Sequence, residues 1–81
     1  MIVLEKKTKM RRDELMKKVK SFFGPGGEGL TISSKGDCCI TFQGGGGYVT
    51  VTLYEEDSGF TRVQVESREW DYQAKKFLGT L

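Results

Sequence analysis

Two adjacent thiols, Cys38 and Cys39, a run of three carboxylates, Glu55-Glu56-Asp57, and two glycine-rich stretches, Gly24 to Gly29 and Gly44 to Gly47, are the residues here whose chemistry goes beyond packing. Histidine is absent from all 81 residues, which removes histidine-metal sites, histidine general bases and Ser-His or Cys-His nucleophilic pairs. Neighbouring residues on a strand point to opposite faces, so Cys38 and Cys39 are expected neither to pair with each other nor to chelate one ion. Cys38 falls on the predicted core face and is expected to be inert. Cys39 falls on the open face with no assured base or cation beside it, and both read as reduced thiols. The carboxylate run lacks the spacing of a calcium loop and reads as a solvated turn. None of these acids sits by sequence in an apolar pocket that would separate two pKa values for acid–base work. No catalytic residue, metal site or cofactor is therefore assigned, and the expectation is a protein that is not an enzyme.

The stretch Gly24-Pro25-Gly26-Gly27-Glu28-Gly29 matches G-x-G-x-x-G letter for letter. The dinucleotide motif needs a strand before it and a helix after it, and here that order is reversed, so the stretch reads as a helix stop and turn. Gln43 and the four glycines after it lack the Lys-Ser/Thr of a P-loop and precede a strand, which makes them a hairpin.

Three bounds come from size and charge. With 37% hydrophobic and 30% charged residues in 81, the chain is one domain, 1–81, with a core for two layers. Met1 to Leu4 is too short an apolar stretch for a signal-peptide core or a membrane span, and neither end carries an anchoring motif, so a soluble cytoplasmic protein is expected. The net charge of +2 divides unevenly: residues 1–23 hold Lys6, Lys7, Lys9, Arg11, Arg12, Lys17, Lys18 and Lys20, whereas the remainder is net acidic. A basic arm suits an anionic partner, while Asp13 to Lys17 and Glu14 to Lys18 are acid-first pairs at helical spacing, as on a solvated helix surface.

The elements that position these residues follow from periodicity. Ile2 to about Lys7 is a charge-rich edge strand; Leu15, Met16, Val19, Phe22 and Phe23 then mark the apolar stripe of a helix from about Arg11 to Phe23. Met10 can staple onto Leu15, and Gly24-Pro25 ends the helix, with the glycine in a left-handed cap. Four strands come next. Leu30 to Ser33 points Leu30 and Ile32 inward, Lys35-Gly36 turns the chain, and Cys38, Ile40 and Phe42 continue the inner face. Tyr48 to Tyr54 alternates without error, Val49, Val51 and Leu53 inward, and Thr61 to Glu66 places Val63 and Val65 inward. Ser67 reads as the cap of a second helix, with Glu69 and Asp71 at its start, Trp70, Ala74, Phe77 and Leu78 as its stripe and Gly79 as its stop.

The order strand, helix, four antiparallel strands, helix predicts an α+β two-layer sandwich with both helices on one sheet face. This element order resembles that of the TATA-binding-protein-like fold, a curved antiparallel sheet with helices on its convex side, and the likeness spans nearly the whole chain as a single such unit. Members of that fold class differ in function, so the likeness implies architecture only. A ferredoxin-like arrangement is the competing topology.

Two surfaces stand out. Tracing strand directions places Gly26 and Gly27, the hairpin glycines Gly45 and Gly46, Arg68 and Trp70 at one end of the sheet, where they make either a small-anion site or simply room for the Trp70 indole. The other surface is the open sheet face, with Thr31, Ser33, Cys39, Thr41, Tyr48, Thr50, Thr52, Tyr54, Arg62, Gln64 and Glu66. It is poor in charge for a solvated face, and tyrosine and threonine suit a face that is covered part of the time. Self-association or protein binding through that face is the leading functional expectation. Nucleic-acid binding through the basic N-terminal region, or metabolite binding at the glycine end, is the alternative.

Overall fold

A computed structural model describes residues 1–56 and 58–81. Seven elements follow one another: β1 (Ile2–Thr8), α1 (Arg12–Phe23), β2 (Thr31–Lys35), β3 (Cys39–Gly44), β4 (Gly47–Glu55), β5 (Thr61–Arg68) and α2 (Asp71–Leu78). The strands form one antiparallel sheet in the order β1-β5-β4-β3-β2. Strands β2 to β5 are a meander, β1 lies on the far side of β5, and both helices, α1 between β1 and β2 and α2 after β5, pack on one face. The architecture is the expected α+β sandwich.

The core forms where strand alternation meets the helical stripes. Ile40 and Phe42 of β3, Val49, Val51 and Leu53 of β4, and Val63 and Val65 of β5 are buried against Leu15, Val19 and Phe23 of α1 and Ala74, Phe77 and Leu78 of α2. Three rings tie the layers together: Phe23 lies 5.7 Å from Phe42 and 5.4 Å from Phe77, both tilted. Tilted and edge contacts of this kind add to the area term because ring quadrupoles avoid face-to-face stacking. Met10, Met16, Phe22 and Trp70 pack around this centre, partly buried.

Several local expectations are corrected. Helix α1 does end at Phe23, but Gly24 is extended (φ −80, ψ −166) rather than left-handed. Glycine is needed there for space, since a Cβ would stand 2.5 Å from the Lys20 carbonyl oxygen. Strand β2 starts after Leu30, and a register shift between Ile32 and Ser34 marks a bulge at Ser33. Leu30 is buried as expected, whereas Ile32 is 42% exposed. Its register opposite Phe42 does put it on the helix side, but α2 packs on β1 and β5 and α1 on β4, and every residue of β2 is left exposed. Ser67 caps nothing. Strand β5 runs two residues longer than its valines suggest, so Thr61, Val63, Val65 and Ser67 all point inward and are buried. Helix α2 begins after Trp70, with Asp71 in its first turn, and Glu69 lies outside it at φ 71.

Candidate functional site

The open face is built by five strands whose outward residues meet across the sheet. Strand β4 contributes Tyr48, Thr50, Thr52 and Tyr54, which the register places beside Gln43, Thr41 and Cys39 on one flank and Arg68, Glu66, Gln64 and Arg62 on the other. Strand β1 adds Val3, Glu5 and Lys7, opposite Glu66, Gln64 and Arg62. Sequence reasoning treated β1 only as a charged edge. Its part in this face follows from its pairing with β5, a long-range contact that no local pattern reveals.

Several polar groups on the face are paired with one another. The Tyr48 hydroxyl donates to Glu66 Oε2 at 2.6 Å, and the Thr41 and Thr50 hydroxyls meet at 2.9 Å. The Arg62 guanidinium donates to Glu56 Oε1 at 2.9 Å through Nε and to Glu5 Oε2 through NH1, and it stacks 4.1 Å from the centre of the Tyr54 ring. Its bond to Glu5, and then that to Glu56, hold it above its ordinary pKa. The bond to Glu66 likewise pushes the Tyr48 phenol above 10.0. Thr41, Tyr48, Thr50, Thr52, Arg62, Gln64 and Glu66 are half-buried. Large apolar side chains gather here as well: Met1 (Sδ 3.3 Å from the Tyr48 hydroxyl), Val3 and Tyr54 are three of the five large exposed hydrophobics among the described residues.

The glycine end closes on itself. Gly44 and Gly47 are paired strand residues, leaving Gly45 and Gly46 at positive φ (57 and 80) as a two-residue turn of the kind that suits strand twist. The Trp70 indole donates to the Gly44 carbonyl oxygen at 2.8 Å, and a Cβ on Gly45 would stand 3.2 Å from the same ring. Gly47 has no room for a side chain because the Arg68 carbonyl oxygen lies 2.0 Å from its Cβ position. Gly45, Arg68 and Trp70 therefore do meet at one end, with the indole filling the space between hairpin and helix. Gly26 faces open space, while Gly27 is backed by the Ser21 and Phe22 carbonyls and lines a separate open cleft with Lys18, Phe22 and Thr80.

At the opposite end the two described residues of the acidic run turn to different partners. Glu55 pairs with Arg12 at 3.4 Å and Glu56 with Arg62, while Asp57 lies outside the described residues. Among the described residues no three His, Cys, Asp or Glu side chains come together to hold a metal ion.

The thiols depart from expectation. Cys38 is exposed rather than in the core, because β3 begins only at Cys39 and Cys38 still belongs to the turn, where strand alternation does not apply. The two Sγ atoms are 3.5 Å apart, so the side chains converge instead of opposing. That contact with Cys38, with burial second, raises the Cys39 thiol above its ordinary pKa, which disfavours the thiolate of a nucleophile.

Basic side chains of the N-terminal region serve the fold in part. The Lys6 Nζ donates to the Leu78 carbonyl at 3.2 Å, the Lys18 Nζ to that of Thr80 at 2.8 Å, and Lys9 lies 5.6 Å from the Phe60 ring centre. No described helix is long and apolar enough to cross a membrane. In comparisons with known proteins, no family model matches the chain and no curated protein matches it.

Proposed function

We propose that the chain is a non-catalytic interaction module that self-associates by stacking the open sheet faces of two copies. The observation that carries this reading is the pairing of the face's polar groups with one another beside exposed Met1, Val3 and Tyr54. Covering a polar face costs free energy for each hydrogen bond to water that is lost, and groups already partnered lose few. The formal charges of Glu5, Glu56 and Glu66 balance those of Lys7, Arg62 and Arg68, so two copies meet without net repulsion. Area supports a second copy as the occupant. Five strands spaced about 4.8 Å apart, averaging about seven residues at about 3.3 Å each, make a face of roughly 550 Å². Two copies would then bury about 1,100 Å², at the lower edge of specific interfaces, which suits a reversible dimer. The likeness to the TATA-binding-protein-like fold belongs to the same proposal and rests on element order.

The test is Thr52→Glu. Thr52 lies near the middle of the central strand between Cys39 and Gln64, and its side chain makes no hydrogen bond among the described residues. In a two-fold stack it places like charges near the axis and removes them from water. Light scattering across a concentration series is expected to find dimers of wild type and of Thr52→Val, and monomers of Thr52→Glu with unchanged circular dichroism. A wild type that stays monomeric at high concentration, or a dimer indifferent to the charge, overturns the proposal.

A further inference from the structure

Cys38 and Cys39 lie side by side where the β2–β3 turn opens into β3, with their sulfurs 3.5 Å apart. Backbone bonds hold both residues: the Gly36 N–H donates to the Cys39 carbonyl at 2.8 Å, and the Leu53 N–H to the Cys38 carbonyl at 2.7 Å. Cys38 is exposed and Cys39 half-buried, so solutes reach the pair. A direct S–S bond is disfavoured, because adjacent Cα atoms stand about 3.8 Å apart across a trans peptide whereas disulfides span roughly 4.4–6.8 Å. One atom inserted between the sulfurs relieves that constraint.

The spacing selects what the inserted atom is. With bonds of about 2.3 Å, the length of a zinc–thiolate bond, sulfurs 3.5 Å apart subtend an angle of about 100° at the bridging atom. A linear two-coordinate ion needs far wider spacing. An all-protein four-coordinate site needs further ligands, and no group of three His, Cys, Asp or Glu forms among the described residues. A pyramidal three-coordinate centre fits: two bent sulfur bonds from the protein and one ligand from outside.

We propose that Cys38 and Cys39 form a two-thiol clamp for a soft, thiophilic trivalent metalloid, namely trivalent arsenic as its hydroxide or as an organoarsenical. Sulfur donors select soft centres over the hard cations that carboxylates hold. Capture of arsenous acid is a condensation without change of oxidation state. Two As–O bonds break and two As–S bonds form, each thiol proton leaves with a hydroxide as water, and the third hydroxide stays on arsenic. Cys39 also lies on the open face beside Thr52, so capture is read at low protein concentration, where copies do not stack and both thiols are reachable.

The probe is phenylarsine oxide, added in equimolar amount to the reduced chain and followed by intact mass and free-thiol titration. Wild type is expected to gain one phenylarsenic with loss of one water, to lose both free thiols, and to keep the adduct against excess monothiol while releasing it to a small dithiol. Cys38→Ser and Cys39→Ser are each expected to lose that retention completely, because one sulfur cannot chelate. Circular dichroism checks their folding, and Cys38→Ser alters an exposed residue outside the strands, so it carries the test even where Cys39→Ser fails to fold. An adduct on one sulfur with the other still titratable, or a single-cysteine variant that resists monothiol as wild type does, overturns the clamp.

Discussion

On the helix-covered face of the sheet, Ile40, Phe42, Val49, Val51, Leu53, Val63 and Val65 are at most 3% exposed, packed by side chains of α1 and α2. On the other face of the same strands, Thr41, Tyr48, Thr50, Thr52, Arg62, Gln64 and Glu66 are half-buried, and the pairs Thr41–Thr50 and Tyr48–Glu66 join four of them. Non-directional contact holds the first set, whose stability scales with the apolar area removed from water. Directional pairs join part of the second, each worth little in the presence of solvent. The lesson is a division of labour: the fold rests on one face, which leaves the other free to be altered, covered or uncovered without unfolding the chain.

The largest expected effect tests that division at adjacent residues. Leu53 is 3% exposed, and Leu53→Ala is expected to cost about 2–5 kcal/mol through lost burial and the cavity left behind. Thr52→Ala, one residue earlier on the open face, is expected to stay within about 0.5 kcal/mol. Denaturant unfolding of both variants at low protein concentration measures the contrast. Comparable losses at the two sites would mean that the open face is as structural as the core.

A smaller effect, of opposite sign, comes from the exception on the covered face. Ser67 is fully buried on the inward register of β5, and its Oγ has no hydrogen-bond partner among the described residues. A buried hydroxyl without a partner carries a desolvation cost that alanine does not. Ser67→Ala is therefore expected to raise stability by about 1 kcal/mol or less, read as a higher denaturation midpoint at unchanged slope. A clear destabilisation would show that the hydroxyl is engaged and that polarity on the covered face is functional rather than tolerated.

The legibility of these features in the sequence follows the same physics. Strands β4 and β5 declare themselves because valine and leucine alternate with threonine and glutamine, a period that burial on one side imposes. Strand β2 carries the signal only from Leu30 to Ser33, since an edge strand that no helix covers is under little pressure to alternate, and Thr31-Ile32-Ser33-Ser34-Lys35 gives no hint of its bulge. Ser67 was read as a helix cap because its residue type suits one; tertiary register placed it in β5 instead. Of the open face, Tyr48 to Tyr54, Thr41, Arg62 and Gln64 were legible from alternation, whereas Val3, Glu5 and Lys7 depend on the β1–β5 pairing. The convergence of Cys38 and Cys39 was hidden by one residue of strand boundary, which reverses where a side chain points.

The smallest expected effect isolates one pair of the open face by its proton. Tyr48 donates to Glu66, and that bond, with burial second, holds the phenol above its ordinary 10.0 against the opposing charge of Arg68. A raised folded-state value means that the folded chain keeps the proton where the unfolded chain has begun to lose it. The pair's contribution is then fully present below about pH 10 and is lost as pH rises through the folded value. Tyr48→Phe is accordingly expected to show a constant small deficit from neutral pH to about pH 10, and a shallower alkaline decline than wild type above it. Every other group is common to both proteins and cancels in the difference. Unfolding midpoints across that range, with ultraviolet tyrosinate absorbance on the folded state, make the measurement. Parallel declines would show that the hydroxyl of Tyr48 is as wet in the folded chain as in the unfolded one, and that the open face is solvated rather than closed by its own pairs.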